Sequence, residues 1–284
     1  MQTATLPEGE EVPALGLGTW HMGENARERK QEIAALRFAV DLGYRLIDTA
    51  EMYGEGGAEE VIGAALAEVF ATRAVRREDL FIVTKVYPHN ASRQGTIAAC
   101  ERSLRRLGLD HVDLYLLHWR GKHPLAATIE GFAALKASGR IRNWGVSNFD
   151  KDDLEELWRT TGGKACAANQ VYYSASKRGV EFDLLPWQRE HRMPLMAYCP
   201  IDQGTLARDQ TFAAIGQRLG ASAAQVALAW TLREPGVIAI PKAVRESHLR
   251  ENLSAAQLTL SAEDRALIDR AFAPPKRKYP LAMT

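Results

Sequence analysis

The sequence predicts an α/β fold: a (β/α)8 TIM barrel with an N-terminal β-hairpin closing its bottom. Three observations predict it. Short apolar runs rich in Leu, Ile and Val recur eight times along the chain. Amphipathic stretches with helical spacing separate them. The length, 284 residues, suits one large barrel, an architecture of about 250 residues. No linker or low-complexity segment interrupts the alternation, so a single domain over 1–284 is expected.

The hairpin comes first. Residues 3–6 and 11–14 alternate in polarity around Pro7-Glu8-Gly9, a turn sequence. The apolar runs then fall at 15–18, 45–49, 80–86, 112–118, 141–147, 167–171, 195–198 and 237–240. Continuous rather than alternating apolar character suits parallel strands covered on both faces. Between them, Ile33, Leu36 and Val40 mark a helix ending near Gly43. Ser92 is an N-cap for the stripe Ile97, Cys100, Leu104 and Leu107, closed by Gly108. Ile129, Phe132 and Ala133 form another face before Gly139. Asp150 precedes Leu154, Leu157 and Trp158. Ser222 with Gln225 is a capping box ahead of Val226, Ala229, Trp230 and Leu232. Strand–helix alternation means βαβ units and a parallel sheet.

Composition narrows the function. The chain carries 36 Lys and Arg against 35 Asp and Glu, a formal net charge of +1. No general attraction to nucleic acid or an anionic membrane is expected. The basic run Lys276-Arg277-Lys278 reads as a solvated tail. Three scattered cysteines argue against a disulfide framework. The first residues have no leader-like pattern, and no run approaches the ~20 apolar residues of a membrane helix. The expected place of work is the cytoplasm.

The informative residues end the strands. The second run ends at Asp48, the third at Lys85 and the fourth at His118. Later runs end at Ser147-Asn148, Asn169-Gln170, Tyr198 and Lys242. A barrel places all C-terminal strand ends on one rim, where barrel active sites sit. Tyr53 follows Asp48 in the same rim loop. A phenol titrates near ~10 and is a poor acid–base group at neutral pH. A neighbouring ammonium, Lys85, is expected to lower that value, with Asp48 pairing the lysine and His118 at the reacting oxygen. Such a set transfers a proton to a developing alkoxide. It has no metal-ligand spacing of the His-x-x-x-His kind, and no metal is expected.

These residues sit in segments that resemble the aldo-keto reductase superfamily along nearly the whole chain. The matching segments are Gly16-Leu-Gly-Thr-Trp20, Asp48-Thr-Ala-Glu-Met-Tyr-Gly54, Thr84-Lys-Val86 and Asp113-Leu-Tyr-Leu-Leu-His-Trp119. They continue with Trp144-Gly-Val-Ser-Asn-Phe149, Asn169-Gln-Val171, Ala197-Tyr-Cys-Pro200 and Ile240-Pro-Lys242. The resemblance is closest to the bacterial branch that reduces methylglyoxal and related small aldehydes. It implies a catalytic tetrad of Asp48, Tyr53, Lys85 and His118. It implies NADPH as cofactor, with NADH as the alternative. Thr19 and Trp20 would line the nicotinamide, and Ser147, Asn148 and Gln170 would hold its carboxamide. Tyr198 would stack on the ring. Cys199, Pro200, Ile201 and Gly204 would follow the pyrophosphate. Lys242 would meet the 2′-phosphate, and Glu251 and Asn252 the adenine. Where the family often has Ser and Arg beside that phosphate, this chain has Ala243 and His248, with Arg245 nearby.

Trp20, Tyr87, His118 and Trp119 are expected to wall a small carbonyl substrate. Trp144, Trp158, Trp187 and Trp230 read as core, and Asp110, His111 and Asp113 as structural groups on the opposite rim. Gly54-Glu-Gly-Gly57 reads as a turn rather than a dinucleotide fingerprint, because Glu59 stands where the third Gly belongs. A monomer or weak oligomer is expected. The alternative function is a cofactor-bound regulatory module of the same fold with little turnover.

Overall fold

Two short strands, β1 (Thr3–Thr5) and β2 (Glu11–Pro13), pair antiparallel ahead of the barrel in the computed structural model, which describes residues 2–284. The barrel strands are β3 (Leu17–Gly18), β4 (Leu46–Asp48), β5 (Phe81–Val86), β6 (Val112–Leu117), β7 (Ile141–Ser147), β8 (Cys166–Tyr172), β9 (Leu195–Tyr198) and β10 (Val237–Ala239). Neighbours in sequence are neighbours in the sheet, all parallel. Each expected apolar run holds one strand, with ends displaced by a residue or two.

The ring closes between β3 and β10. Leu15 bridges Ala239 and Gly18 bridges Lys242, both parallel. Gly18 N–H donates to the Pro241 carbonyl at 3.1 Å. Only glycine fits at this seam: a Cβ on Gly18 would lie 2.7 Å from the Ile240 carbonyl oxygen.

Alternation along the strands makes two cores. Inward side chains such as Leu46, Val83, Leu114, Leu116, Met196 and Ile238 fill the barrel, and Ala4, Leu6 and Val12 of the hairpin join that cluster. The hairpin therefore closes the bottom, as expected. A larger cluster lies between the barrel and its helices.

The helices are α1 (Arg29–Leu42), α2 (Gly57–Ala71), α3 (Arg93–Leu107), α4 (Leu125–Ala137), α5 (Lys151–Arg159), α6 (Leu184–Glu190), α7 (Gln210–Leu219), α8 (Ala223–Leu232), α9 (Glu246–Ala255) and α10 (Ala262–Ala271). The expected caps form. Ser92 accepts from Gly95 N–H at 3.0 Å, and Ser222 and Gln225 make a reciprocal box. Asp150 boxes with Asp153. Among the described residues no helix is long and apolar enough to cross a membrane.

Trp144, Trp187 and Trp230 are buried and Trp158 half-buried. Asp113 lies at the start of β6, buried, where it accepts from Ile82 N–H and Arg77, both at 2.7 Å. The basic tail departs from expectation. Lys278 is not merely solvated: its Nζ lies 2.7 Å from Asp152, 3.5 Å from Asp150 and 3.8 Å from Asp183. Three carboxylates thus draw the tail back toward the rim, and Met283 and Thr284 line the cleft described next.

Candidate active site

The strand ends bring Asp48, Lys85 and His118 together. Asp48 is the last residue of β4, Lys85 the second-last of β5, and His118 follows β6. Lys85 is fully buried and Asp48 nearly so. Lys85 Nζ donates to Asp48 Oδ2 at 2.7 Å, to the Thr49 carbonyl at 2.8 Å and to Tyr53 Oη at 3.2 Å. All three ammonium protons are therefore used. The other Asp48 oxygen accepts from Gln170 Nε2 at 2.7 Å. Thr19 Oγ1 donates to the Asp48 carbonyl at 3.0 Å, tying β3 to the same point.

Tyr53 begins a 3-10 turn, Tyr53–Gly56, between β4 and α2. The turn returns the phenol over the barrel mouth. The His118 ring stands edge-on to it, centroids 5.8 Å apart. His118 Nδ1 is buried with no hydrogen-bond partner.

Burial dominates the electrostatics. It pushes the Lys85 ammonium below its ordinary pKa, while Asp48 opposes that fall. Burial and then the Lys85 charge hold His118 well below the usual imidazole value, so the ring is neutral. Tyr53 corrects the expectation from sequence. Burial, reinforced by Asp48 and Cys199, raises its pKa well above 10.0. Lys85 sits 4.8 Å from the ring centroid, yet the phenol keeps its proton. It is a donor in waiting rather than a phenolate.

A cleft of about 630 Å3 opens above this cluster. Thr19, Trp20, Asp48, Tyr53, His118 and Trp119 line one part, with Ser147, Asn148, Gln170 and Tyr198. Cys199, Pro200, Ile201, Gly204 and Lys242 line the rest. Asn148 is the pivot of its polar wall. Its Nδ2 donates to the His118 carbonyl at 3.1 Å and to Ser147 Oγ at 3.2 Å, and its Oδ1 accepts from Tyr198 Oη at 2.8 Å. Ser147 Oγ donates to the Gln170 carbonyl at 2.8 Å. Asn148, Cys199, Asp202 and Gln203 all adopt positive φ (59°, 49°, 50° and 52°), and such strain collects at functional sites. The Cys199 thiol is half-buried, its pKa pushed up to about 11 by burial.

Five expected residues stand off the cleft. Tyr87 packs behind Trp119, ring centroids 5.9 Å apart, and its hydroxyl donates to Glu55 at 3.2 Å. Ala243 and Asn252 are buried, Glu251 is half-buried and His248 is exposed. Lys85 is also beneath the lining, behind Asp48 and Tyr53. Conversely, His21, Met52, Gln203, Met283 and Thr284 line the cleft although sequence reasoning did not single them out. Met52 and Gln203 adjoin residues or segments that it did. Nothing in the sequence signals that the tail folds back.

A closed parallel barrel with a buried Asp–Lys pair, a protonated tyrosine and a neutral imidazole at one rim holds the groups that acid–base chemistry on a ligand in the cleft requires. The aldo/keto reductase family model matches residues 14–273, and the chain belongs to that family. It is 48% identical over 277 residues to the methylglyoxal reductase YeaE of Escherichia coli, covering 96% of this chain and 95% of that protein. It is 37% identical to the glyoxal reductase of Bacillus subtilis, covering 94% and 91%. The crystal structure of an aldo/keto reductase from Klebsiella pneumoniae in complex with NADP and acetate superposes with a TM-score of 0.94 at 48% identity, covering 99% of each chain.

Proposed function

We propose that this protein reduces small aldehydes and ketones, methylglyoxal-type dicarbonyls among them, to alcohols with NADPH, and that Tyr53 is the proton donor. One observation carries the reading: Lys85 Nζ bridges Asp48 and Tyr53 Oη at the floor of a cleft beside a neutral His118. The similar proteins named methylglyoxal and glyoxal reductases, and the NADP-bound structure, support the substrate class and the cofactor.

The cleft suits a dinucleotide. Its lining runs from the tetrad past the Tyr198 ring and the strained 199–204 segment to a cation, Lys242. Ser147, Asn148 and Gln170 would hold the carboxamide, and Tyr198 would support the ring. Cys199, Pro200, Ile201 and Gly204 would follow the pyrophosphate. Lys242 would face the 2′-phosphate, with Arg245 and His248 exposed nearby and Ala243 contributing no polar group. Glu251 is the more accessible candidate for the adenine, since Asn252 is buried. When bound, NADPH supplies the hydride.

The protein's own groups do the rest. Trp20 and Trp119 confine the substrate. Tyr53 Oη and the His118 imidazole hydrogen-bond its carbonyl oxygen. Tyr53 delivers its proton as charge grows on that oxygen. Lys85 stabilises the phenolate left behind, and Asp48 keeps Lys85 charged and in place. Donors fixed before the reaction at the site of developing charge are the expected major source of acceleration. The protein works in the cytoplasm as a monomer or weak oligomer.

The test is a panel of methylglyoxal, glyoxal and 4-nitrobenzaldehyde with NADPH and with NADH. Turnover is expected with NADPH, favoured over NADH by roughly tenfold or more, the equivalent of ~1.4 kcal/mol from the 2′-phosphate. No turnover of any carbonyl with either cofactor overturns the reading.

A further inference from the structure

A second buried carboxylate lies just behind the tetrad. Glu59, on the first turn of α2, has no exposed surface. Its Oε1 accepts from Thr84 Oγ1 at 2.6 Å, and its Oε2 accepts from Arg106 of α3 at 2.7 Å. Thr84 and Lys85 are consecutive in β5, so their side chains leave opposite faces of the strand. The outer one binds Glu59 and the inner one binds Asp48 and Tyr53.

The same cluster grips the turn that carries Tyr53. Gly54, Glu55 and Gly56 all have positive φ, at 57°, 52° and 95°. The glycines take this conformation freely, but Glu55 persists in it only where its surroundings over-determine it. Arg106 crosses the turn at Gly56, where a Cβ would lie 2.4 Å from its Nε. The near end is held in parallel. Buried Glu51 accepts from Tyr87 N–H at 2.8 Å, Asn90 Nδ2 at 3.0 Å and Arg102 at 3.3 Å. Arg102 and Arg106 are one helical turn apart on α3, so one helix clamps both ends of the segment bearing the phenol.

We propose that Glu59 is a positioning residue for proton transfer: through Thr84 and Arg106 it locks Lys85 and the Tyr53 turn into one rigid unit. An apolar cluster of similar volume could stabilise the fold as well as these buried charges do. What it could not do is fix the register of strand, turn and helix to hydrogen-bond precision. Glu59 also acts on Lys85 directly, as a lesser charge than Asp48 in keeping the ammonium protonated. The groups facing Lys85 are Asp48 from β4, Tyr53 from the turn, His118 after β6 and Glu59 from α2. Near Glu59 lie Arg106, Cys100, Glu51 and Tyr115.

The inference rests on the reductase reading, and Glu59→Gln tests it. With methylglyoxal and saturating NADPH, kcat should fall by roughly tenfold or more while KM for NADPH stays within about twofold, because the lesion lies in the chemical step. The alkaline limb of the kcat–pH profile should move to lower pH, since Lys85 loses a carboxylate that favours its charged form. Thr84→Val, which keeps the Glu59 charge, should lower kcat alike with the limb in place, and Thr84→Ser, which keeps the hydroxyl, should restore the rate. Wild-type kcat in both Glu59→Gln and Thr84→Val, or an unmoved limb in Glu59→Gln, whatever happens to Tm, would overturn the proposal. If Glu59→Gln does not fold, Thr84→Val and Arg106→Lys decide by the split between kcat and KM for NADPH and by the rescue in Thr84→Ser. Loss of turnover in the wild-type protein would instead sink the reductase reading itself.

Discussion

Lys85 shows how much of the site a sequence can carry and where it stops. Its place at a strand end, with Asp48 and His118 on the neighbouring strands, follows from the apolar pattern and barrel geometry alone. The depth of the cluster does not. Sequence reasoning set the Lys85 charge against the ordinary phenol value and expected a lowered Tyr53 pKa. Burial outweighs that charge and keeps the phenol protonated. The same physics shapes the pH dependence. His118 is already neutral across the neutral range, because burial and Lys85 both disfavour its charged form. Its ordinary titration near ~6.5 should therefore be missing, and kcat/KM should stay flat from about pH 8 to about 6. Lys85 sets the opposite limb. A base whose pKa is lowered sheds its proton as pH rises, so activity is present on the acid side and lost upward. With burial prevailing over Asp48, the loss should begin below the ordinary lysine value of 10.5. An acid-side fall centred near ~6.5 would contradict the neutral His118.

At the scale of elements, capping and periodicity were the legible signals. Ser92, Asp150 and Ser222 cap helices where their hydroxyl or carboxylate precedes an apolar stripe. Helix α2 shows no narrow stripe, because it buries Ala58, Val61, Ile62, Ala65, Leu66 and Val69 together with the polar Glu59. In the sequence Glu59 stands out only as the residue in the place of a fingerprint's third Gly; its partners Thr84 and Arg106 lie too far along the chain for local spacing to link them. The closing seam was equally silent, since β3 is only two residues long. Its tolerance can be measured. Gly18→Val forces side-chain atoms against the Ile240 carbonyl, and overpacking of this kind costs about 1–3 kcal/mol. The denaturant midpoint should fall accordingly, read with the slope unchanged. An unmoved midpoint would mean that the seam opens freely there.

At the scale of the molecule, the barrel converts strand order into convergence. Residues from β4, the following turn, β5 and β8 meet within hydrogen-bonding distance, with His118 after β6 standing edge-on to Tyr53, because each strand ends on one rim. The hairpin packs Ala4, Leu6 and Val12 into the other end of the barrel, opposite the rim that carries the cleft. The tail, drawn back by Lys278, adds Met283 and Thr284 to that mouth. Family resemblance reached Asp48, Tyr53, Lys85 and His118 and most of the residues that line the cleft, but long-range closure by the tail has no local signature. The central claim is that this convergence makes Tyr53 the proton donor. Tyr53→Phe removes one oxygen and leaves the ring between Lys85 and His118. The decisive measurement is turnover of methylglyoxal by this variant, with NADPH binding followed separately. Cofactor affinity should be unchanged while kcat falls by about 10²–10⁴, the usual worth of a general acid. Turnover near the wild-type rate, with NADPH bound, would contradict the claim.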